Sequence, residues 1–157
     1  MPEAAFPPVR ELLPHRGRAV LLGAVLAHDA TTTVCSVDPA GGDLYRDEDG
    51  TVPAWLGLEY MAQAVAVHGG LLDRAAGTPP RPGFFLGSRR LVFAADRFAR
   101  GQALEVAARH LRGSASMLAF ECSVREPGRT DPLVSGVLTV YLSDGFEALA
   151  EDFPADD

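Results

Sequence analysis

The stretch VPAWLGLEYMAQAVAVHGG, residues 52–70, decides how this chain is read. Between Ala54 and Leu72 its only clearly polar side chains are Glu59, Gln63 and His68. A surface helix carries a charged face and this segment has none, so the pattern predicts a helix enclosed on most sides. Pro53 suits its first turn and Gly77 its end. An ionised carboxylate in such surroundings is costly unless it is paired or takes up a proton. Glu59 is therefore either half of a structural ion pair or an acid/base group near a helix N-terminus, where free backbone N–H groups can polarise a carbonyl. At about 100° per residue, Glu59 and Gln63 share a face with Ala66 and Gly70, while His68 points the other way. Small residues beside a carboxylate and an amide describe a narrow slot along that face.

Composition narrows the function classes. The 157 residues fit one domain, spanning 1–157, with a core of its own and an acidic tail over 144–157. A net charge of −7 argues against a nucleic-acid binder, and no aromatic-basic stripe offsets it. All fourteen basic residues are Arg, which excludes a Schiff-base lysine and a Walker-type phosphate lysine. Cys35 and Cys122 each lie in apolar or β-branched runs and are expected as buried free thiols rather than metal ligands. The N-terminus lacks a basic segment followed by an apolar one, and no run reaches membrane-spanning length, so a cytoplasmic protein with no membrane contact is expected.

Outward from the helix the pattern turns to strands. Ala19–His28 and Thr31–Val37 read as a pair joined at Asp29-Ala30, and 38–51 as an acidic, Gly-rich loop. Beyond the proline-rich connector 78–82, four strands follow: Phe84–Phe93, Gln102–Leu111, Ser116–Arg125 and Leu133–Leu142. Two strands, one apolar helix and four strands predict an α+β protein with an antiparallel sheet of five to seven strands wrapped around the helix. One small sheet leaves such a helix partly uncovered, so pairing of two sheets edge to edge is expected.

This order resembles the hotdog fold, and the motifs narrow the likeness. Leu13-Pro-His-Arg16 followed by Val20-Leu-Leu22 is similar to the opening of 3-hydroxyacyl-acyl-carrier-protein dehydratases. Pro53-Ala54, Glu59 and Ala62-Gln63 resemble their Pro-Gly…Glu…Ala-Gln helix with the same Pro-to-Glu spacing, and Phe85-Leu-Gly87 and Gly101–Val106 resemble later strands. The helix reads closest to the divergent branch associated with aryl-polyene and related lipid biosynthesis. The resemblance covers roughly residues 10–142.

The resemblance implies removal of water from a 3-hydroxyacyl thioester to give a trans-2-enoyl product. The thioester would ride on the phosphopantetheine of an acyl carrier protein, with no cofactor bound by the enzyme. It implies Glu59 as the acid, Gln63 as the residue orienting it, the N–H groups of Ala54 and Trp55 at the thioester carbonyl, and Gly87 in the substrate site. Trp55 would also line an acyl tunnel or dimer seam. The family's base is a His in His-Phe-Pro-Gly, which this chain lacks; the matching position, fourteen residues before Glu59, is Tyr45. Of the four histidines, His15 in Leu-Pro-His is the best replacement, His68 reads as a packed histidine, and His28 and His110 as surface or turn residues. Arg89, Arg90, Arg97 and Arg100 would form a local patch for the acidic carrier. A homodimer, or a heterodimer with another hotdog subunit, is implied. A non-catalytic hotdog subunit of a heteromeric dehydratase and an acyl thioesterase stay open as alternatives.

Overall fold

The computed structural model describes residues 6–14, 17–37, 39, 46–81, 83–114 and 116–143. The chain opens with a single helical turn, α1 (Val9–Leu12), and a 3-10 turn at Gly17–Ala19. A hairpin follows, β1 (Leu22–His28) and β2 (Thr32–Val37), closed as expected at Asp29. The Asp29 carboxylate accepts the N–H groups of Thr31 and Thr32, both at 2.8 Å, and these bonds hold its pKa below the ordinary value. A two-residue strand β3 (Val52–Pro53) leads into the long helix α2 (Leu56–Ala75). Then come β4 (Gly83–Phe93), a second short strand β5 (Arg97–Phe98), β6 (Leu104–Ser114), β7 (Met117–Arg125) and β8 (Val134–Leu142).

Six strands form one antiparallel sheet in the order β1-β2-β6-β7-β8-β4. Alternation along β6 and β7 sends Val106, Ala108, Phe120, Cys122 and Val124 inward, all buried. Against that face lies α2, with Leu56, Tyr60, Met61, Ala64, Val67 and Leu71 in the same core. This is the hotdog fold. Both cysteines are free and buried, and burial pushes each thiol up to about 12, so neither is a nucleophile at neutral pH.

Two short elements escape sequence reading. β3 and β5 pair with each other, Val52 opposite Phe98 and Pro53 opposite Arg97, and form a separate two-stranded ribbon beneath the start of α2. Residues 19–21, expected as strand, form a 3-10 turn and an extended lead into β1. At the far end of α2, Asp73 accepts the backbone N–H, Nε and Nη2 of Arg81, pinning the proline-rich connector to the helix.

β4 is an edge strand, paired on one side with β8. Phe84, Phe85, Leu86, Val92 and Phe93 along it are 40–56% exposed, a run of large apolar side chains at an open sheet edge. Among the described residues no helix is long and apolar enough to cross a membrane.

Candidate active site

The N-terminus of α2 is set by three packing facts. Ala54 donates its N–H to the Asp96 carbonyl (2.9 Å), fixing the chain to the segment before β5. Phe98, fully buried, stacks on Tyr60 at a centroid distance of 5.9 Å. Gly57 lets the first turn approach β8: a Cβ there would lie 3.1 Å from Val134 Cγ2 and 3.5 Å from Phe98 Cζ. Loop 46–51 is clamped alongside, since Arg97 donates Nε to Thr51 Oγ1 (2.5 Å) and pairs through Nη2 with Asp47.

On this support sits Glu59, half-buried in the first turn of α2. Gln63, one turn on and 0% exposed, donates Nε2 to Glu59 Oε1 at 3.0 Å. The same amide donates to the Ala19 carbonyl at 2.7 Å and accepts the Leu21 N–H at 3.0 Å. Its two donors and its oxygen therefore all have protein partners, and Gln63 holds the carboxylate and anchors the lead into β1.

The expected slot is shorter than the sequence suggests. Ala62 and Ala66 remain half-buried beside Glu59, but Gly70 is where α1 packs: a Cβ there would sit 2.9 Å from the Leu12 carbonyl oxygen. The thioester-binding expectation also changes, because the Ala54 N–H is taken by Asp96. The N–H of Leu56, the first helical residue, has no partner among the described residues. Trp55 is 57% exposed at the mouth of the helix. Gly87 lies away on β4, opposite Thr139, with open space where a Cβ would project. His15 and Tyr45 fall outside the described residues, as does the tail from 144.

The other three histidines converge, which sequence reading missed for His28 and His110. His68, 1% exposed, shares Thr33 Oγ1 with His28: both Nδ1 atoms lie 2.8 Å from that hydroxyl. One hydroxyl proton serves one acceptor, so one imidazole accepts from Thr33 and the other donates to it. Burial above all, then the neighbouring His28 and His110, lowers the His68 pKa to about 4, so this imidazole is neutral at neutral pH. Phe120 separates His68 from His110, with centroids 5.7 and 5.4 Å away. His68 is thus a core histidine, as its helix face indicated. His28 and Thr33 are opposite each other across the hairpin closed by residues 29–31, which brings the two side chains together.

The expected arginine patch divides. Arg97 is held by Asp47 and Thr51 at the ribbon, whereas Arg89 and Arg90 lie on β4. There they line a surface depression together with Arg112 of β6.

A hotdog sheet thus wraps a helix that bears a Gln-held carboxylate in its first turn. Over residues 7–151 the chain matches the ApeP-like family, described as ApeP dehydratase, and it belongs to that family of dehydratases. No curated protein matches it significantly. It is similar in structure to the dehydratase heterocomplex ApeI:P from Xenorhabdus doucetiae, with TM-score 0.86 and 26% identity over 93% of this chain and 97% of that one. Two more distant structures share the fold. Cj0977, a sigma28-regulated virulence protein from Campylobacter jejuni, matches at TM-score 0.62 and 16% identity over 87% of this chain and 89% of that one. Zebra fish thioesterase superfamily member 2 matches at 0.64 and 13% over 86% and 93%.

Proposed function

We propose that this chain is a subunit of a dehydratase that removes water from 3-hydroxyacyl thioesters held on acyl carrier protein, in polyene-type or fatty-acid lipid synthesis. The observation that carries the reading is the Glu59 carboxylate held by Gln63 in the first turn of α2, in a chain of a dehydratase family. Glu59, protonated, delivers its proton to the departing β-hydroxyl and then stands as carboxylate, while a base takes the α-proton. The N–H of Leu56, at the positive end of α2, and the Trp55 side chain beside it are the groups of this chain suited to hold the thioester carbonyl and the acyl arm.

The base is the open role. His15 fills it in a self-sufficient enzyme, in which case it stands within about 7 Å of Glu59, because the proton and the hydroxyl leave from adjacent carbons. The assembly favours a second source. The apolar β4 edge is suited to continue its sheet into another hotdog chain, and the similar structure from Xenorhabdus is a heterocomplex. Together with the absence of His-Phe-Pro-Gly, these observations support a heterodimer whose partner supplies the His.

The test is turnover of a 3-hydroxyacyl carrier thioester by this chain alone and after co-expression with a second hotdog subunit. Enoyl absorbance without release of free thiol is expected, with Glu59→Gln at least ~100-fold slower in a folded protein. Thiol release instead of enoyl formation would mark a thioesterase. Full activity of Glu59→Gln would make the carboxylate structural.

A further inference from the structure

The first turn of α2 carries Glu59, yet it is not held in the way helix starts usually are. Trp55 stands at the N-cap position with a helical backbone (φ −60°, ψ −21°) and makes no side-chain capping hydrogen bond. An indole is a donor only, so it has no oxygen to offer the N–H groups of that turn. Gly57 and Leu58 donate to the Ala54 and Trp55 carbonyls at 2.9 and 3.0 Å, a tight i to i−3 turn of the kind that frays first. What keeps this turn in place therefore lies outside the helix.

Three consecutive residues supply it. The Asp96 carbonyl takes the Ala54 N–H, Phe98 stacks on Tyr60, and between them Arg97 reaches the turn 47–51 that leads into β3. This segment is itself anchored at both ends, Ala94 donating to the Leu133 carbonyl at 2.8 Å and Ala99 to Gln102 Oε1 at 2.9 Å. The turn is braced internally: Asp47 donates its N–H to the Thr51 carbonyl and Gly50 to the Asp47 carbonyl, both at 2.9 Å, with Gly50 at φ +84°. Thr51 spends its hydroxyl proton on Asp49 Oδ1 at 2.7 Å, so the oxygen turns a lone pair to Arg97 Nε. Arg97 Nη2 meanwhile pairs with the Asp47 carboxylate. One guanidinium thus grips the entry and the exit of a single turn.

We infer that Arg97 is a positioning residue, whose hold on turn 47–51 replaces the missing cap and keeps the first turn of α2, with Glu59 and the Leu56 N–H, in place. Thr51 precedes Leu56 by five positions, and Ala54 between them is already pinned to Asp96, so fixing Thr51 leaves the lead into the helix little freedom. The ion pair alone would contribute little, because its side chains are 40% and 52% exposed. The planar fork adds what a point charge lacks, two donors aimed at two acceptors at once. The consequence for turnover rests on the dehydratase reading. As the α-proton leaves, negative charge grows on the thioester carbonyl, so a displaced Leu56 N–H is felt in the transition state more than in substrate binding.

The test compares the whole parent chain with Arg97→Gln by amide hydrogen exchange and mass spectrometry, then by turnover with the second hotdog subunit present. Exchange in 52–60 is expected to quicken about tenfold or more, with 62–75 and the sheet unchanged. In turnover kcat should fall about tenfold with KM within about threefold of the parent, and Arg97→Lys should regain part of the loss. Arg109→Gln, which breaks a surface pair of similar exposure on β6, should change neither readout. Thr51→Val removes one of the two acceptors and keeps the charge pair; it serves if Arg97→Gln unfolds, with smaller changes in the same direction. Unchanged exchange in 52–60 overturns the proposal. So does faster exchange spread evenly over helix and sheet, which marks a merely structural residue, and so does local quickening with kcat unchanged. If the parent assembly forms no enoyl product, the dehydratase reading fails by itself, and exchange in 52–60 alone decides for or against the clamp.

Discussion

Gln63→Leu isolates what the buried amide does. The change nearly conserves volume, so cavity costs are small, but it strips the Leu21 N–H of its acceptor and the Ala19 carbonyl of its donor. Each group left without a partner in a buried setting costs about 1–3 kcal/mol. Glu59, half-buried, also loses its 3.0 Å donor, which adds less because water reaches it. The sum is about 2–6 kcal/mol. A domain of this size loses about 2–4 °C per kcal/mol, so the melting temperature should fall by about 4–24 °C in a circular-dichroism melt. Gln63→Glu separates anchoring from orientation: it keeps an acceptor for Leu21 but sets a second carboxylate beside Glu59. Like charge raises the apparent pKa of the pair, so the pH–rate profile should move to higher pH while stability falls less than in the leucine variant. A leucine variant melting within 2 °C of the parent at unchanged turnover would refute the anchoring role (a threshold of roughly half a kcal/mol).

Acid should destabilise the protein through His68. Its folded pKa of about 4 lies below the ordinary 6.5, so between those values the unfolded chain binds a proton that the native state does not. Stability from this group is therefore intact above pH 6.5 and falls by up to about 3 kcal/mol as pH drops to 4; urea melts of the parent and His68→Leu should show a flatter slope in the variant. Gly113→Ala should cost at least about 2 kcal/mol, because φ is +93° and the new Cβ would lie 2.1 Å from the Met117 carbonyl oxygen; an unchanged melt would contradict that turn. Asp73→Asn should lose about 1–2 kcal/mol and speed proteolysis in the 78–81 connector, with Arg81→Gln reproducing the effect.

The fold was legible because inward-facing periodicity and turn chemistry both act locally. Alternation in 102–111 and 116–125 and the apolar run 54–72 each have one packing solution, and all three elements formed where periodicity put them. What escaped was set by contacts distant in sequence. The β3–β5 ribbon joins residues 46 and 44 positions apart, and two-residue strands carry no period. Residues 19–21 have strand-like composition, yet Gln63, more than forty positions away, takes the Leu21 N–H that a partner strand would otherwise bond. The Ala54 N–H looked available as a helix-start donor, and only the fold brings the Asp96 carbonyl to it. Glu59 and Gln63 were readable as a pair because their i, i+4 spacing is itself a contact.

Two polar residues of α2 beyond Glu59, Gln63 and His68, fix how the helix presents its carboxylate. Gln63 ties the N-terminal half to the lead into β1, and His68 ties the C-terminal half to β2 through Thr33. These tethers lie on different faces and reach the lead into one strand of a hairpin and the other strand itself, so together they fix the rotation of α2 about its axis. Rotation is the variable that matters for a carboxylate on a helix: a turn of 20° moves a side-chain tip about 5 Å from the axis by nearly 2 Å, enough to break a hydrogen bond. Directional hydrogen bonds resist that slip more sharply than apolar contact, which has no preferred angle. The hairpin thus acts as the alignment device for Glu59, which is a reason for a dehydratase-family helix to carry a buried amide and a buried imidazole where aliphatic residues would pack as well.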